Sequence, residues 1–347
     1  MLNFGAPFPT TFDRFIWLQN QTYSNRATEM TLPIILLIVG LLLLVKGADW
    51  LVDGASVLAK KHKVSDLAIG LTIVAFGTSA PELVVNSVAS MGGYPDIVFG
   101  NVIGSNNFNL FIILGIAGLI TPLTVQSSSV WKEIPFSFLA AIILLFLANN
   151  FFSSDTPGLS AVDGIILLTL FAGFLYYVFT QLKSEPDNND IIQKDYSNLK
   201  IWMFILAGLT GLVLGGKLVV DNAVAMAQSF GVSEKIIGLT IVAAGTSLPE
   251  LATSVVASMK KNNDIAIGNI IGSNIFNIFL ILGVSSLITP LDYTLTFNTD
   301  LAILGAGTLF LFVAMFTGKR KKLDRWEAAI LLVSYLGYTV YLVSGEI

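Results

Sequence analysis

The hydrophobic residues of this chain fall into long runs separated by short polar breaks. Cutting the sequence at charge clusters and at Pro, Gly or Asn turns leaves ten mostly apolar segments. Each is long enough for a helix to cross a membrane, which takes about 20 residues. The segments are 31–59, 66–90, 97–121, 131–150, 160–182, 199–229, 234–258, 265–288, 298–317 and 325–345. The pattern therefore predicts an all-α polytopic membrane protein with ten transmembrane helices.

Two stretches of the chain do not fit this pattern. Residues 1–30 are polar and aromatic and lack the basic start and apolar core of a signal peptide. They are interpreted as an N-terminal extension, either interfacial or loosely ordered. Residues 183–198 form a polar linker that divides the spans into two halves, 31–182 and 199–347.

Composition supports the membrane class and excludes several kinds of chemistry. Of 347 residues, 54% are hydrophobic and 12% are charged, whereas soluble domains carry about 25% charged residues. A net charge of −4 provides no basic surface for nucleic acid. The absence of Cys excludes disulfides and thiolate chemistry. No His lies in a span and no Ser–base pair is evident, so an enzyme such as an intramembrane hydrolase is not expected.

The positions of Lys and Arg predict the orientation, because cytoplasmic loops are enriched in both. With the N-terminus outside, the loops that face the cytoplasm, including the linker, hold 14 of the 19 basic residues. These are Lys60, Lys61, Lys63, Lys132, Lys183, Lys194, Lys200, Lys260, Lys261, Lys319, Arg320, Lys321, Lys322 and Arg325.

The two halves are copies of one unit. IGLTIVAFGTSAPEL (69–83) recurs 168 positions later as IGLTIVAAGTSLPEL (237–251), and GNVIGSNNFN (100–109) recurs as GNIIGSNIFN (268–277). A unit of five spans is odd, so the second copy is expected to cross the membrane in the opposite direction. The basic loop changes place accordingly, from KKHK after the first span of copy one to MKKNND between the second and third spans of copy two. Two inverted five-helix repeats are the architecture of many secondary transporters.

Each repeat carries a proline within an apolar span, Pro81 in the first and Pro249 in the second. Proline has no N–H, so the Gly77 carbonyl loses its helical partner, and neighbouring carbonyls such as that of Ala75 are expected to turn from the helix axis. Irregular backbone at membrane depth is tolerated only where it is buried in protein or lines a cavity. The prolines indicate either a kink that shapes packing or the wall of a site.

A carboxylate follows each proline, as Glu82 and Glu250. Charged groups inside a span are costly and usually functional. Residues four apart share a helix face, which places further oxygens beside these carboxylates on paired helices. The pairs are Thr78 with Glu82, Ser105 with Asn109, Thr246 with Glu250 and Ser273 with Asn277. Such an all-oxygen site suits Ca²⁺ or Na⁺, whereas zinc or copper would need His or Cys.

The paired GTSAPE/GTSLPE and GSNNFN/GSNIFN blocks resemble the alpha-repeats of the sodium/calcium exchangers of the cation/calcium antiporter superfamily, and the resemblance covers residues 31–345. It implies a prokaryotic-type antiporter of the cell membrane that exchanges Ca²⁺ for Na⁺ by alternating access at a midplane site, without a cofactor. The ligands it implies are Glu82, Glu250, Thr78, Ser79, Thr246, Ser247, Ser105, Ser273, Asn109, Asn277 and the carbonyls of Ala75 and Ala243.

Other modes of transport stay open at this point. Calcium/proton exchangers of the same superfamily usually carry a different acidic motif, which makes proton coupling the weaker interpretation. Potassium-dependent relatives have Asp at the position of Asn277, so its neutral amide argues against potassium coupling. A calcium-permeable channel would carry calcium without an obligatory counter-ion.

Overall fold

A computed structural model describes residues 11–151, 156–180, 197–230, 243–318 and 321–346. Almost all of the regular structure in these residues is helical. The helices are α1 Thr11–His62, α2 Asp66–Thr78, α3 Ala80–Met91, α4 Pro95–Ile120, α5 Ser129–Ala148, α6 Ala161–Thr180, α7 Asn198–Ser229, α8 Ala243–Gly245, α9 Leu248–Met259, α10 Asn263–Ile288, α11 Phe297–Ala314 and α12 Arg325–Glu346.

Apart from the start of α1 and the break between α2 and α3, the described helix ends agree with the predicted spans to within a few residues. In the described residues, seven helices are long and apolar enough to cross a membrane, and α2 with α3 makes an eighth if the bent pair is one span. The predicted span 234–258 is described only from Ala243 onward, and the linker 183–198 only from Ser197. The chain is therefore a multi-pass helical membrane protein.

In the N-terminal extension, residues 11–30 are helical and not loosely ordered. Helix α1 begins at Thr11, twenty residues before the predicted span. Residues 11–30 contain neither Gly nor Pro, the two residues that most strongly disfavour a helix interior. The backbone therefore continues as one helix into the apolar run.

Two helices form the centre of the fold. Within its most apolar stretch, 94% of α10 and 67% of α4 is buried, compared with 22–39% for the other long spans. These two helices carry the GSNIFN and GSNNFN blocks. Each has a π-helical stretch just after its GSN, at Phe108–Ile113 in α4 and Phe276–Ile281 in α10. Such π-bulges are rare and occur frequently at functional sites.

Short antiparallel strand pairs join the two repeats at the ends of the helices. Strand β1 (Leu123–Thr124) follows α4 and pairs with β4 (Lys322–Leu323), while β2 (Gly158–Leu159) pairs with β3 (Leu291–Asp292) after α10. Strand β4 comes just before α12 of the second repeat, and β2 comes just before α6 of the first repeat. Each strand pair therefore links the end of a central helix to the start of a helix in the other repeat.

Helices α1 and α7 pack against each other through glycines at very short range. A Cβ atom placed on Gly47 would lie 2.8 Å from the Gly208 carbonyl oxygen, and one on Gly40 would lie 2.9 Å from that of Gly215. Only glycine allows two helix backbones to approach so closely, as in other small-residue contacts between membrane helices.

Candidate cation-binding site

The helix breaks at the position that Pro81 predicts. Helix α2 ends at Thr78, α3 begins at Ala80, and the two are bent by 47°. The break lies at Ser79, whose backbone (φ −85°, ψ 2°) matches that of Ser247 in the second repeat (φ −88°, ψ 7°). The broken span is confirmed for the first repeat.

This break corrects the inference that Thr78 and Glu82 share one helix face. The two residues belong to different helices, because the chain bends between them. Thr78 instead lies beside Glu250 of the other repeat, and Thr246 lies beside Glu82. The hydroxyl and carboxyl groups therefore meet crosswise between the repeats.

The two carboxyl groups lie close together in the protein interior. Glu82 and Glu250 are 2% and 1% exposed, and they are near enough to repel each other electrostatically. The Ser79 hydroxyl donates to Glu250 Oε1 at 2.9 Å and lies 3.0 Å from Ser273 Oγ. Residues 171 and more positions apart in sequence thus form one polar centre, which is the arrangement expected of a cation site.

The π-helical stretches of α4 and α10 carry two further predicted ligands, Asn109 and Asn277. Asn109 and Asn277 are each 1% exposed. The Asn109 amide nitrogen donates to Asn274 Oδ1 at 3.1 Å, and that of Asn277 donates to Asn106 Oδ1 at 2.9 Å. The amide oxygens of Asn109 and Asn277 remain for another partner.

The expectation that the Ala75 carbonyl turns from the helix axis is wrong. Its carbonyl accepts a helical hydrogen bond from Ser79 N at 3.0 Å and does not turn from the helix axis. The missing amide of Pro81 removes the partner of Gly77 only, so α2 stays helical as far as Thr78. The other predicted carbonyl, that of Ala243, belongs to the short helix α8.

Six side-chain oxygens among the predicted ligands are buried and have no hydrogen-bond partner in the described part of the chain. They are Glu82 Oε2, Glu250 Oε2, Ser105 Oγ, Ser247 Oγ, Asn109 Oδ1 and Asn277 Oδ1. Buried polar atoms are nearly always paired, and exceptions need an explanation such as an ion. All six are oxygens, as a hard cation requires.

Sequence reasoning missed four asparagines that bond to the predicted ligands. The Asn269 side chain accepts from the Thr78 hydroxyl at 3.0 Å, and Asn101 accepts from Thr246 at 3.1 Å. The other two are Asn106 and Asn274, the partners of the amides described above. All four are identical between the copies, so the repeat itself contained the signal.

Two other buried carboxylates, Glu133 and Glu327, bond to groups outside this centre. Glu133 accepts from the Tyr177 hydroxyl, and Glu327 accepts from the Thr317 hydroxyl and from Asp324 N at 2.7 Å. In the residues that the structure covers, no three His, Cys, Asp or Glu side chains cluster as a metal site would require. Within the described ranges, the negative charge of the centre therefore comes from Glu82 and Glu250.

Comparison with known proteins identifies the family. The model of the sodium/calcium exchanger protein family matches residues 32–180 and 200–344, which is most of the chain. The chain belongs to the sodium/calcium exchanger family. It is thus a membrane transporter of the cation/calcium antiporter type, and the resemblance drawn from the motifs is confirmed.

Similar proteins cover three quarters or more of this chain. It is 32% identical to the sodium/calcium exchanger MaX1 of Methanosarcina acetivorans, over 90% of this chain and 99% of that protein. It is 39% identical to the inner membrane protein YrbG of Escherichia coli, over 75% and 81%. A solved structure of the sodium-calcium exchanger NCX_Mj, soaked with Na⁺ and Sr²⁺, matches 89% of this chain with a TM-score of 0.77 and 33% identity.

Proposed function

We propose that this protein exchanges Ca²⁺ for Na⁺ across the cell membrane, by alternating access at the centre formed by Glu82 and Glu250. The observation that carries the proposal is the set of six buried oxygens without a partner among the described residues, one on each of these carboxylates and four on the hydroxyls and amides of the two repeat motifs. Ca²⁺ takes about six to eight oxygen ligands, mostly from carboxylates, carbonyls and similar groups. The set matches that requirement in number and in chemistry.

Charge balance explains how such a site couples the two ions. One Ca²⁺ neutralises the two carboxylates, and so does a load of Na⁺ of equal charge. With neither ion bound, two negative charges would face a closed and poorly solvated interior, which is costly. The loaded site can therefore switch sides whereas the empty site is held back, and this difference enforces exchange.

The architecture of the proposal is two inverted repeats of five transmembrane helices each, 31–182 and 199–347, with the N-terminus outside and the linker 183–198 in the cytoplasm. The support comes from equivalent positions. The breaks at Ser79 and Ser247, the π-helical stretches of α4 and α10, and the crosswise threonine–carboxylate contacts all recur between copies. A site between such repeats can face either side by the same motion.

Uptake of radiolabelled calcium into proteoliposomes tests this function. We expect an outward sodium gradient to drive uptake, and potassium or proton gradients to have no effect. Uptake driven by a pH gradient without sodium would establish proton coupling instead, and calcium entry without any counter-ion would establish a channel.

Two matched variants test the site. We expect Glu82→Gln and Glu250→Gln to abolish uptake, because each leaves one carboxylate to hold a divalent ion in a dry site. Losing one partner of a buried ion pair costs about 3–5 kcal/mol, or roughly 100-fold or more in affinity. Glu133→Gln is the control, since Glu133 is equally buried but bonds to Tyr177, and it should retain uptake. Near-normal uptake by either site variant would place the cation site elsewhere.

A further inference from the structure

Four asparagines form a closed hydrogen-bonded group where α4 meets α10. Asn106, Asn109, Asn274 and Asn277 are all at most 3% exposed. Each side chain of one helix bonds to the other helix, and positions 168 residues apart make equivalent bonds. An amide has a nitrogen that only donates and an oxygen that only accepts. The direction of each amide therefore matters as much as its position.

A backbone carbonyl sets the direction of the Asn106 amide. The Asn106 nitrogen donates to the backbone oxygen of Asn274 at 3.2 Å. A carbonyl can only accept, so the reversed amide would place two oxygens against each other. Asn106 Oδ1 must then face the other way, toward Asn277, whose nitrogen donates to it at 2.9 Å.

The direction of the Asn106 amide determines which end of the Asn277 amide is left for the proposed cation site. Because the Asn277 nitrogen is committed to Asn106, its oxygen is the end that remains, and that oxygen is buried without a partner among the described residues. The second copy repeats the arrangement. Asn274 donates to the backbone oxygen of Asn106 at 3.4 Å, and Asn109 donates to Asn274 Oδ1 at 3.1 Å. The Asn109 oxygen is likewise unpaired.

We propose that Asn106 and Asn274 are positioning residues, which turn the amide oxygens of Asn277 and Asn109 toward the transported cation. The inference rests on the proposed function of the site. A reversed amide would present N–H donors to a cation, replacing a ligand by a repulsive group. The backbone carbonyls at the contact of α4 and α10 thus determine the chemistry of the site through two amides. Partners of this kind, which orient a ligand, typically contribute about 10- to 100-fold to metal affinity.

The proposal has a specific test, because aspartate has two equivalent oxygens and needs no orientation. We expect Asn106→Leu to weaken calcium binding by about 10-fold, since Asn277 loses the acceptor that holds its nitrogen. In an Asn277→Asp background, the same Asn106→Leu change should not weaken calcium binding. It should even strengthen calcium binding there, because in that background the new carboxylate would otherwise face the Asn106 oxygen. A role of Asn106 in packing alone would weaken binding equally in both backgrounds.

The measurement is calcium affinity by titration calorimetry on the full-length protein, purified in detergent without sodium. Asn107→Leu is the control. Asn107 is the next residue on α4, is 2% exposed and bonds to the Asp300 backbone, so its loss should leave calcium affinity unchanged. If Asn106→Leu does not purify as folded protein, Asn274→Leu in an Asn109→Asp background provides the same comparison on the other side.

The outcomes separate this inference from the proposed function. If Glu82→Gln and Glu250→Gln leave calcium affinity intact, the site itself is elsewhere. If those variants lose affinity but Asn106→Leu weakens binding equally with Asn277 or Asp at 277, the orienting role is refuted and the site stands. Unchanged calcium affinity in the single variant Asn106→Leu would also refute the orienting role.

Discussion

The contact between α1 and α7 makes a steric prediction that can be measured apart from transport. Gly47→Ala adds one methyl group, and its carbon would lie 2.8 Å from both the Gly208 carbonyl oxygen and Leu212 N. Both are backbone atoms, which cannot rotate away as a side chain can. The helices must therefore separate by about 0.6 Å, the difference between 2.8 Å and the 3.4 Å at which ordinary contact begins.

The magnitude follows from two opposing contributions. Overpacking a well-packed interior costs about 1–3 kcal/mol, and a contact with rigid backbone on the far side belongs in the upper part of that range. Alanine in place of glycine also favours a helix by up to about 1 kcal/mol. A matched control cancels the second contribution. Gly173 lies within α6 with nothing within 4 Å of an added Cβ atom, so Gly173→Ala gains the propensity without the clash.

We expect the free energy of unfolding of Gly47→Ala to fall below that of Gly173→Ala by about 2 kcal/mol, the steric cost alone. The assay is thermal unfolding of each purified variant in detergent, and the difference in Tm should be at least about 2 °C. Equal midpoints for the two variants would show that α1 and α7 are not held at this distance, and would refute the close glycine contact.

Three further predictions concern topology, coupling and the loop after α9. Cysteines placed at Tyr94 and Lys261 should label from opposite sides of the membrane, because the repeats are inverted; labelling from the same side would contradict the inversion, and the native chain has no cysteine to interfere. Calcium uptake driven by sodium should be unchanged when choline replaces potassium, since Asn277 adds no third carboxylate; loss of uptake would place the protein with the potassium-dependent exchangers. Lys260→Met should lower the unfolding free energy by at most about 1 kcal/mol, although Lys260 Nζ lies 2.6 Å from Asp49 Oδ1, because the pair is partly exposed; unfolding during purification would show a larger role.

The local chemistry of the chain was predictable from its amino-acid sequence. The length of each apolar run sets where a helix can cross the membrane, so most of the described helices agree with the predicted spans, although α1 begins earlier than its span. Proline removes a backbone donor wherever it stands, so the break beside Pro81 was predictable as well. The repeat at an offset of 168 identified the family and its candidate carboxylates, Glu82 and Glu250, because duplicated polar residues within apolar spans are seldom accidental.

Which of these groups contact each other depends on how the two repeats pack together. Helical periodicity predicts that Thr78 lies on the same helix face as Glu82, four residues away. The chain bends by 47° between the two residues, and Thr78 lies beside Glu250. The direction of the Asn277 amide depends on Asn106, 171 positions earlier, and on a backbone carbonyl of the opposite helix. Periodicity describes neighbours along one helix, whereas the proposed ligands of this site come from both repeats, and their contacts exist only once the two halves have packed together.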